Sequence, residues 1–498
     1  MKILSTAQIQ KVDQFTIEHE PIPSIELMER AAKAFIDLFF EQISPKNTIV
    51  IVCGRGNNGG DGLAIARLLL QRHYPVTTYV IENQKTGSKD FEINKKRLSE
   101  IDAIHDIHND TFIPDFAECD IIIDALFGSG LSRPVEGLYA NVVEAINKSG
   151  GKIYAVDIAS GLFADKPTKQ GAVVNADVTI SFQLPKLAFF LPSNFQYVGD
   201  WHIVNIGLDE DFINKQSSDF HLVTHEYVGK LIKARSKFDH KGTWGRALIM
   251  AGSFGKMGAA VLAGRGALRS GIGLLTMYVP GCGYNIVQTT IPEAMAIVDD
   301  GDHFLTTCPE VKGYDVIGIG PGIGTEQETM MSLIEMVRAF QKPIVLDADA
   351  INLMADHQEL LKMLPKGSII TPHPKEFERL VGKWENDFER LDRQKELAEK
   401  YKIIVVVKGA HTATATPDGE VFFNSTGNAG MATGGSGDVL TGIVTALLGQ
   451  GYEPKNAALL GVYLHGLSGD LASDNIGQTS LIASDIIDYL PEAFGIIE

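Results

Sequence analysis

Residues 428–443 read NAGMATGGSGDVLTGI and join a glycine-rich turn, a carboxylate and the start of an apolar-periodic run. A strand-like segment, residues 420–424, comes before the turn. After it Val439, Leu440, Ile443, Val444, Leu447 and Leu448 recur at helical spacing. A glycine-rich turn entering a helix leaves backbone N–H groups unpaired at the positive end of the helix dipole, which makes an anion site. Gly434, Gly435 and Gly437 let that backbone approach a phosphate, and Asp438 falls in the first helical turn. A carboxylate there can take a proton from a hydroxyl held against the phosphate. Read alone, GGSGD is an aspartate favouring a helix N-terminus beside a tight turn. The rest of the chain decides between the two.

The first half holds a second polar set. Residues 48–53 run into Gly54-Arg-Gly-Asn-Asn-Gly-Gly-Asp-Gly62, residues 120–125 into LFGSGL, and residues 152–157 into IASGLFAD. Asn58, Asp124 and Asp157 each fall at the carboxyl end of a different predicted strand, where parallel α/β sheets gather ligands. Oxygen-bearing side chains converging there hold a small hard cation, or leave one carboxylate for acid–base work. Taken singly, each aspartate serves equally well as a cap for the helix that follows. Gly54, Gly56 and Gly59 also satisfy G-x-G-x-x-G, and Glu82 suits a ribose-binding acid, so an NAD-dependent oxidoreductase is an alternative. Against it, the turn continues with polar Asn57, Asn58 and Asp61 where a dinucleotide turn packs small residues.

These residues need strands alternating with helices to position them. Residues 5–43 read as helical, with Ser5 as a candidate N-cap and Pro23 just ahead of residues 25–40. Strands are predicted at 48–53, 76–81, 120–125, 152–157 and 177–182, and a helix at 63–72. Periodicity fades over residues 208–227, the expected linker, which places a boundary near 220 and gives domains 1–220 and 221–498. Further strands are predicted at 246–251, 274–279, 315–319, 343–346, 368–370 and 403–407, with a small-residue helix at 259–270. Both halves therefore read as α/β with mostly parallel sheets.

Composition bounds the function. A chain of 498 residues exceeds one ordinary core. Apolar residues make up 45% and charged residues 21%, the balance of a globular protein. A net charge of −18 argues against nucleic acid or an anionic membrane as partner, while backbone amides and a few lysines still suit a nucleotide. No apolar run reaches the length of a membrane span, and the start of the chain is polar. Cys53, Cys119, Cys282 and Cys308 have no ligand spacing, so a reduced, cytoplasmic setting is expected.

GNNGGDGLAIARLL, DALFGSGLSRPVEG and VDIASGLFAD resemble, in order and spacing, the epimerase domain of the bifunctional NAD(P)H-hydrate repair enzymes. HKGTWG, GPGIG, DADAIN, TPHPKE, KGAHT and GGSGDVL resemble the dehydratase domain of the same family. The resemblance implies a Rossmann-like three-layer domain over 1–220 and a ribokinase-like α/β domain over 221–498. In the first it implies that Asn57, Asn58, Gly59, Gly60 and Asp61 hold the hydrated dinucleotide, together with Gly128, Ser129, Gly130, Leu131, Ser132, Arg133, Pro134 and Tyr139. It also implies potassium on Asn58, Asp124 and Ser160, and Asp157 against the substrate as acid–base group. Ala159 stands where the family pattern has Pro before Ser-Gly-Leu.

In the second domain the resemblance gives the nucleotide to Lys408, Gly409, Ala410, His411, Thr412, Asn428, Gly434, Gly435, Ser436 and Gly437. Gly322, His373 and Asp438 would lie against the hydrated nicotinamide, with Ala259 or Ala260 nearby. His373 on its own reads as a turn histidine between prolines. The implied substrates are NADHX and NADPHX, with ADP as phosphoryl donor (ATP possible), Mg2+, K+ and a homo-oligomeric state. A ribokinase-type small-molecule kinase with an accessory nucleotide-binding domain remains the alternative, because GGSGD is compatible with both.

Overall fold

The computed structural model describes residues 1–82, 86–110 and 113–498. It divides into two compact units: residues 2–218 with 386–388, and residue 1 with 219–385 and 389–498.

In the first unit seven parallel strands run in the order Ile104–Ile107, Val76–Ile81, Ile49–Cys53, Ile121–Ala125, Lys152–Val156, Val178–Phe182, Asp200–Val204. The continuous apolar runs predicted as strands are buried on both faces, as parallel strands under helices must be. Ile49, Ile51, Ile123 and Val156 share a core with Phe35 and Phe39 of helix Ser24–Phe40 and with Leu63 and Ile65 of helix Asn57–Leu70. Ile49–Cys53 and Ile121–Ala125 are neighbours although two strands intervene in sequence. The order reverses there, which opens a crevice at their carboxyl ends.

The helix predicted over 63–72 begins earlier, at Asn57, so the polar NNGGDG turn is its opening stretch. Glycine's low helix propensity reads as loop, and packing overrides it. A Cβ on Gly59 would fall 1.9 Å from the Gly54 carbonyl oxygen, so this helix can start against the strand end only with glycine there.

The sheet of the second unit runs Phe220–Leu222, Val421–Phe423, Ala413–Ala415, Ile404–Val407, Ile369–Ile370, Ile344–Leu346, Val316–Ile319, Arg246–Met250, Leu274–Val279, Met295–Val298. Only Ala413–Ala415 runs antiparallel, to both of its neighbours. Helices Met257–Arg269 and Ser436–Gly449 share its core, burying Ala263, Ala267, Leu440 and Ile443.

The expected linker is ordered instead. Residues 208–227 contain helix Glu210–Lys215, strand Phe220–Leu222 and the start of helix His225–Gly229. Elements of three to six residues are too short to show a period. Side-chain caps hold the two helices: Phe212 N–H donates to Asp209 Oδ1 at 2.7 Å, and Tyr227 N–H to Thr224 Oγ1 at 3.3 Å. Among the described residues no helix is long and apolar enough to cross a membrane.

Candidate functional site

A cleft of about 520 Å3 opens at the strand ends of the first unit. Helix Thr6–His19 lines it with Ile9, Gln10, Asp13 and Ile17, opposite contributions from Asn57, Asn58, Asp61, residues 126–133, Asp157 and Lys186. Asp157 leaves strand Lys152–Val156 at φ +68°, a left-handed conformation uncommon outside glycine. Its Oδ1 accepts from Lys186 Nζ at 2.5 Å and from the Phe182 N–H at 3.3 Å. Lys186 is only 1% exposed and also donates to Ser181 Oγ and the Leu184 carbonyl. A buried ammonium needs its carboxylate, so the pair fixes Asp157. Burial, then the charge of Asp157, pushes Asp13 up to about 6 with Lys186 opposing, and drives Asp61 well above the usual carboxylate range.

Beneath the cleft Asp124 is fully buried. Its Oδ1 accepts from Ser160 Oγ at 2.6 Å and Leu126 N–H at 3.2 Å, and its Oδ2 from Ser160 N–H at 2.7 Å. Burial still pushes Asp124 up to about 6. Asn58 Nδ2 donates to the Val156 carbonyl at 2.7 Å, while its buried Oδ1 finds no partner. An orphaned amide oxygen, a serine hydroxyl and a buried carboxylate are the hard oxygen donors a cation takes. Among the described residues no group of three His, Cys, Asp or Glu gathers as a metal site, in keeping with so mixed a donor set. Ala159 does not free the serine, because Ser160 Oγ also accepts from Phe127 N–H at 2.8 Å.

Gly59, Gly60, Pro134 and Tyr139 are not among the described cleft-lining residues. Gly60 lies against Met28, and the Tyr139 ring against Phe127 at 4.7 Å. Glu82 is engaged in ion pairs, Arg55 on its Oε2 and Lys95 on its Oε1, each at 2.5 Å.

In the second unit the residues gather at the strand ends around Asp347, which is 1% exposed. Its Oδ1 accepts from Lys408 Nζ at 2.7 Å and its Oδ2 from Thr441 Oγ1 at 2.7 Å. Gly435 precedes helix Ser436–Gly449 at φ +92°, and no side chain caps that helix. Ser436 N–H makes only a long 3.4 Å bond to the Thr433 carbonyl, so the start of this helix is suited to an anion. Asp438 is half-buried in the first turn, as the sequence predicts. Burial, then the charge of Asp347, raises it to about 6, with Lys408 opposing. His465 is pushed down to about 4 by burial, stays neutral, and donates from Nε2 to the Ser436 carbonyl at 2.9 Å.

Gly322 sits at φ +64° and accepts from Ser253 Oγ at 2.7 Å; a Cβ there would lie 3.1 Å from that of Ala259. Ala260 is buried against Gly252, one residue on from the Ala259 that lies beside Gly322. His373 caps helix Pro374–Val381: Nδ1 accepts from Lys375 N–H at 3.0 Å and Glu376 N–H at 3.3 Å. That leaves Nε2 as its only N–H when neutral. Along the nucleotide loops, Thr412 Oγ1 donates to Gly409 O at 3.1 Å, His411 approaches Asn424 O at 3.4 Å, and Asn428 Nδ2 donates to Asp470 at 2.9 Å. Ala410 lies between the first two.

Residues 24–188 match the family of YjeF-related protein N-termini, and residues 247–492 match the NAD(P)H-hydrate dehydratase family. The chain is 35% identical over 511 residues to the bifunctional NAD(P)H-hydrate repair enzyme Nnr of Moorella thermoacetica, covering 99% of this chain and 96% of the relative. It belongs to that family. A ribokinase-like superfamily protein of Enterococcus faecalis V583 superposes on 56% of the chain and 98% of its own, at TM-score 0.50 and 25% identity. The ADP/ATP-dependent NAD(P)H-hydrate dehydratase of Bacillus subtilis, co-crystallised with ATP and Mg2+, covers the same 56% and 99% of its own chain, at TM-score 0.49 and 33% identity.

Sequence reasoning missed several partners in this repair-enzyme chain. Asp347 was visible only as part of a polar turn, and Thr441 is hidden in an apolar helix. Lys186 follows a strand without any motif. Asp13 carried a signal: it interrupts the inward face Ile9, Asp13, Ile17 of an amphipathic helix.

Proposed function

We propose that residues 221–498 dehydrate S-NAD(P)HX at the expense of ADP, ATP being the alternative donor, and that residues 1–220 interconvert the R and S forms. What carries the reading is the placement of Asp438 in the first turn of an uncapped helix whose start lies over the Lys408–Asp347 pair. Hydration puts a hydroxyl on C6 of the reduced nicotinamide. Hydroxide leaves poorly, and a phosphate in its place leaves well. Asp438 takes the hydroxyl proton as the oxygen attacks the terminal phosphorus, and AMP departs. The amides of residues 434–437 and the Lys408 ammonium stabilise the charge on the phosphoryl oxygens. The ring nitrogen then expels phosphate, and loss of a C5 proton restores the double bond. Magnesium accompanying the nucleotide would neutralise part of its charge. His373, held as a cap with Nε2 3.4 Å from Glu376 Oε1, would face the substrate from the start of helix Pro374–Val381.

In the first unit Asp157 is the acid–base group. Asn58, Asp124 and Ser160 would hold potassium, whose charge would steady the loop 126–133 and compensate Asp124. The test is incubation of mixed-epimer NADHX with ADP or ATP, with and without potassium. Release of inorganic phosphate with return of the near-ultraviolet absorbance of reduced nicotinamide supports the reading. Accumulation of a stable phosphorylated product would mean a kinase instead.

A further inference from the structure

Inverting a stereocentre by loss and return of water requires proton transfer on both faces of the ring, and Asp157 serves one. The family match in the first half begins at residue 24, after helix Thr6–His19. That helix turns Asp13 into the same cleft as Asp157. It is anchored along its length: Thr6 N–H donates to Asp165 Oδ2 at 2.7 Å, Thr6 Oγ1 to Ser129 O at 3.3 Å, Gln8 Nε2 to Ser217 O at 2.7 Å, and Asp209 N–H to Thr16 Oγ1 at 3.0 Å. Phe15 stacks on Phe212 with centroids 3.9 Å apart. A helix so fixed holds its carboxylate in one place, as a catalytic group requires.

We infer that Asp13 is the second acid–base group of the epimerase cleft, acting on the ring face opposite Asp157. This rests on the epimerase reading above. In one direction protonated Asp13 gives its proton to the C6 hydroxyl. The C6–O bond breaks, its electron pair leaves with the new water molecule, and the ring-nitrogen lone pair forms C=N. On the other face a water oxygen bonds to C6, its proton passes to the Asp157 carboxylate, and the C=N pair returns to nitrogen. One carboxyl has lost a proton and one has gained it. The reverse turnover or exchange with solvent resets both, and no oxidant or co-reactant is consumed.

Asp61, Asp90, Lys186 and Arg133 are the other charged groups among the described cleft-lining residues. Burial, then the charges of Asp157, Asp13 and Asp90, drives Asp61 well above the usual carboxylate range. Asp90 is buried with Oδ1 unpartnered. Lys186 is committed to Asp157. Asp13, at about 6, can gain and lose a proton near neutrality.

The test uses the full chain without ADP, one purified epimer of NADHX, and water labelled with heavy oxygen. Wild type should invert C6 with uptake of solvent oxygen. Asp13→Asn should slow inversion about 10²–10⁴-fold, while label still enters, with retention, the epimer whose hydroxyl faces Asp157. Asp13→Glu should recover part of the rate. Inversion by Asp13→Asn at the wild-type rate overturns the assignment. So does loss of labelling together with inversion, which is what a merely structural residue would give. A wild-type chain that does not epimerise at all removes the epimerase reading itself, a result separable from both.

Discussion

Lys408 Nζ lies 2.7 Å from Asp347 Oδ1 and would be 3.3 Å from a Cβ placed on Gly437, so a buried ion pair lies at the start of helix Ser436–Gly449. Lys408→Met strands the Asp347 carboxylate. Breaking a fully buried pair costs roughly 3–5 kcal/mol; here the lysine side chain is 23% exposed, and about 2–3 kcal/mol is expected after solvent screening. Urea unfolding measures it. Adding Asp347→Leu to Lys408→Met should restore most of the stability and none of the dehydration. If stability and activity return together, the pair is only structural.

As the proposed base, Asp438 would act in its ionised form. With its affinity for protons raised to about 6, kcat/KM for dehydration should climb with pH through that value and level off above it. Asp438→Asn should lose about 10²–10⁴-fold in rate with ADP binding retained. The sign for stability is opposite. A carboxyl whose folded pKa exceeds its unfolded one stabilises the fold at low pH, and that contribution is lost as pH rises from about 4 to about 6. The asparagine variant should therefore melt higher than wild type at neutral pH and near it in acid. Thermal scans at both pH values check this.

The parallel sheets were legible because their strands are buried on both faces and read as unbroken apolar runs, such as Ile49–Cys53 and Val316–Ile319. Asp438 was legible because a glycine turn and a helical period bracket it. What stayed hidden depends on distance along the chain. Asp347 and Thr441 meet at 2.7 Å although 94 residues apart, and no local pattern marks such a contact. Lys186 resembles any surface lysine until its burial is known. The short strands Ala413–Ala415 and Met295–Val298 carry too few residues to show alternation.

Asn58 Oδ1 is buried without a partner. A bound cation would satisfy it and stabilise the folded state by mass action. Potassium should raise the melting temperature of the wild type more than an equal concentration of lithium, whose tightly held water resists replacement by these donors. Asn58→Ala should erase the difference between the two salts. Equal shifts in wild type would reduce the effect to general screening.

Asp157 carries two burdens, the φ +68° turn and the buried Lys186 ammonium. Alanine would lose both and could unfold the cleft. Asparagine keeps the shape and tolerates the left-handed conformation, yet it leaves Lys186 without its counter-charge. The informative variant is Asp157→Asn with Lys186→Met, which removes acid–base capacity without stranding a charge. It should consume S-NADHX at the wild-type rate in the presence of ADP and leave R-NADHX behind, apart from its slow spontaneous conversion. Chiral separation of the remaining hydrate over the time course reads this out. Consumption of both epimers at wild-type rates would take Asp157 out of the epimerisation, whereas loss of S-NADHX dehydration as well would mean that the variant acts through the fold.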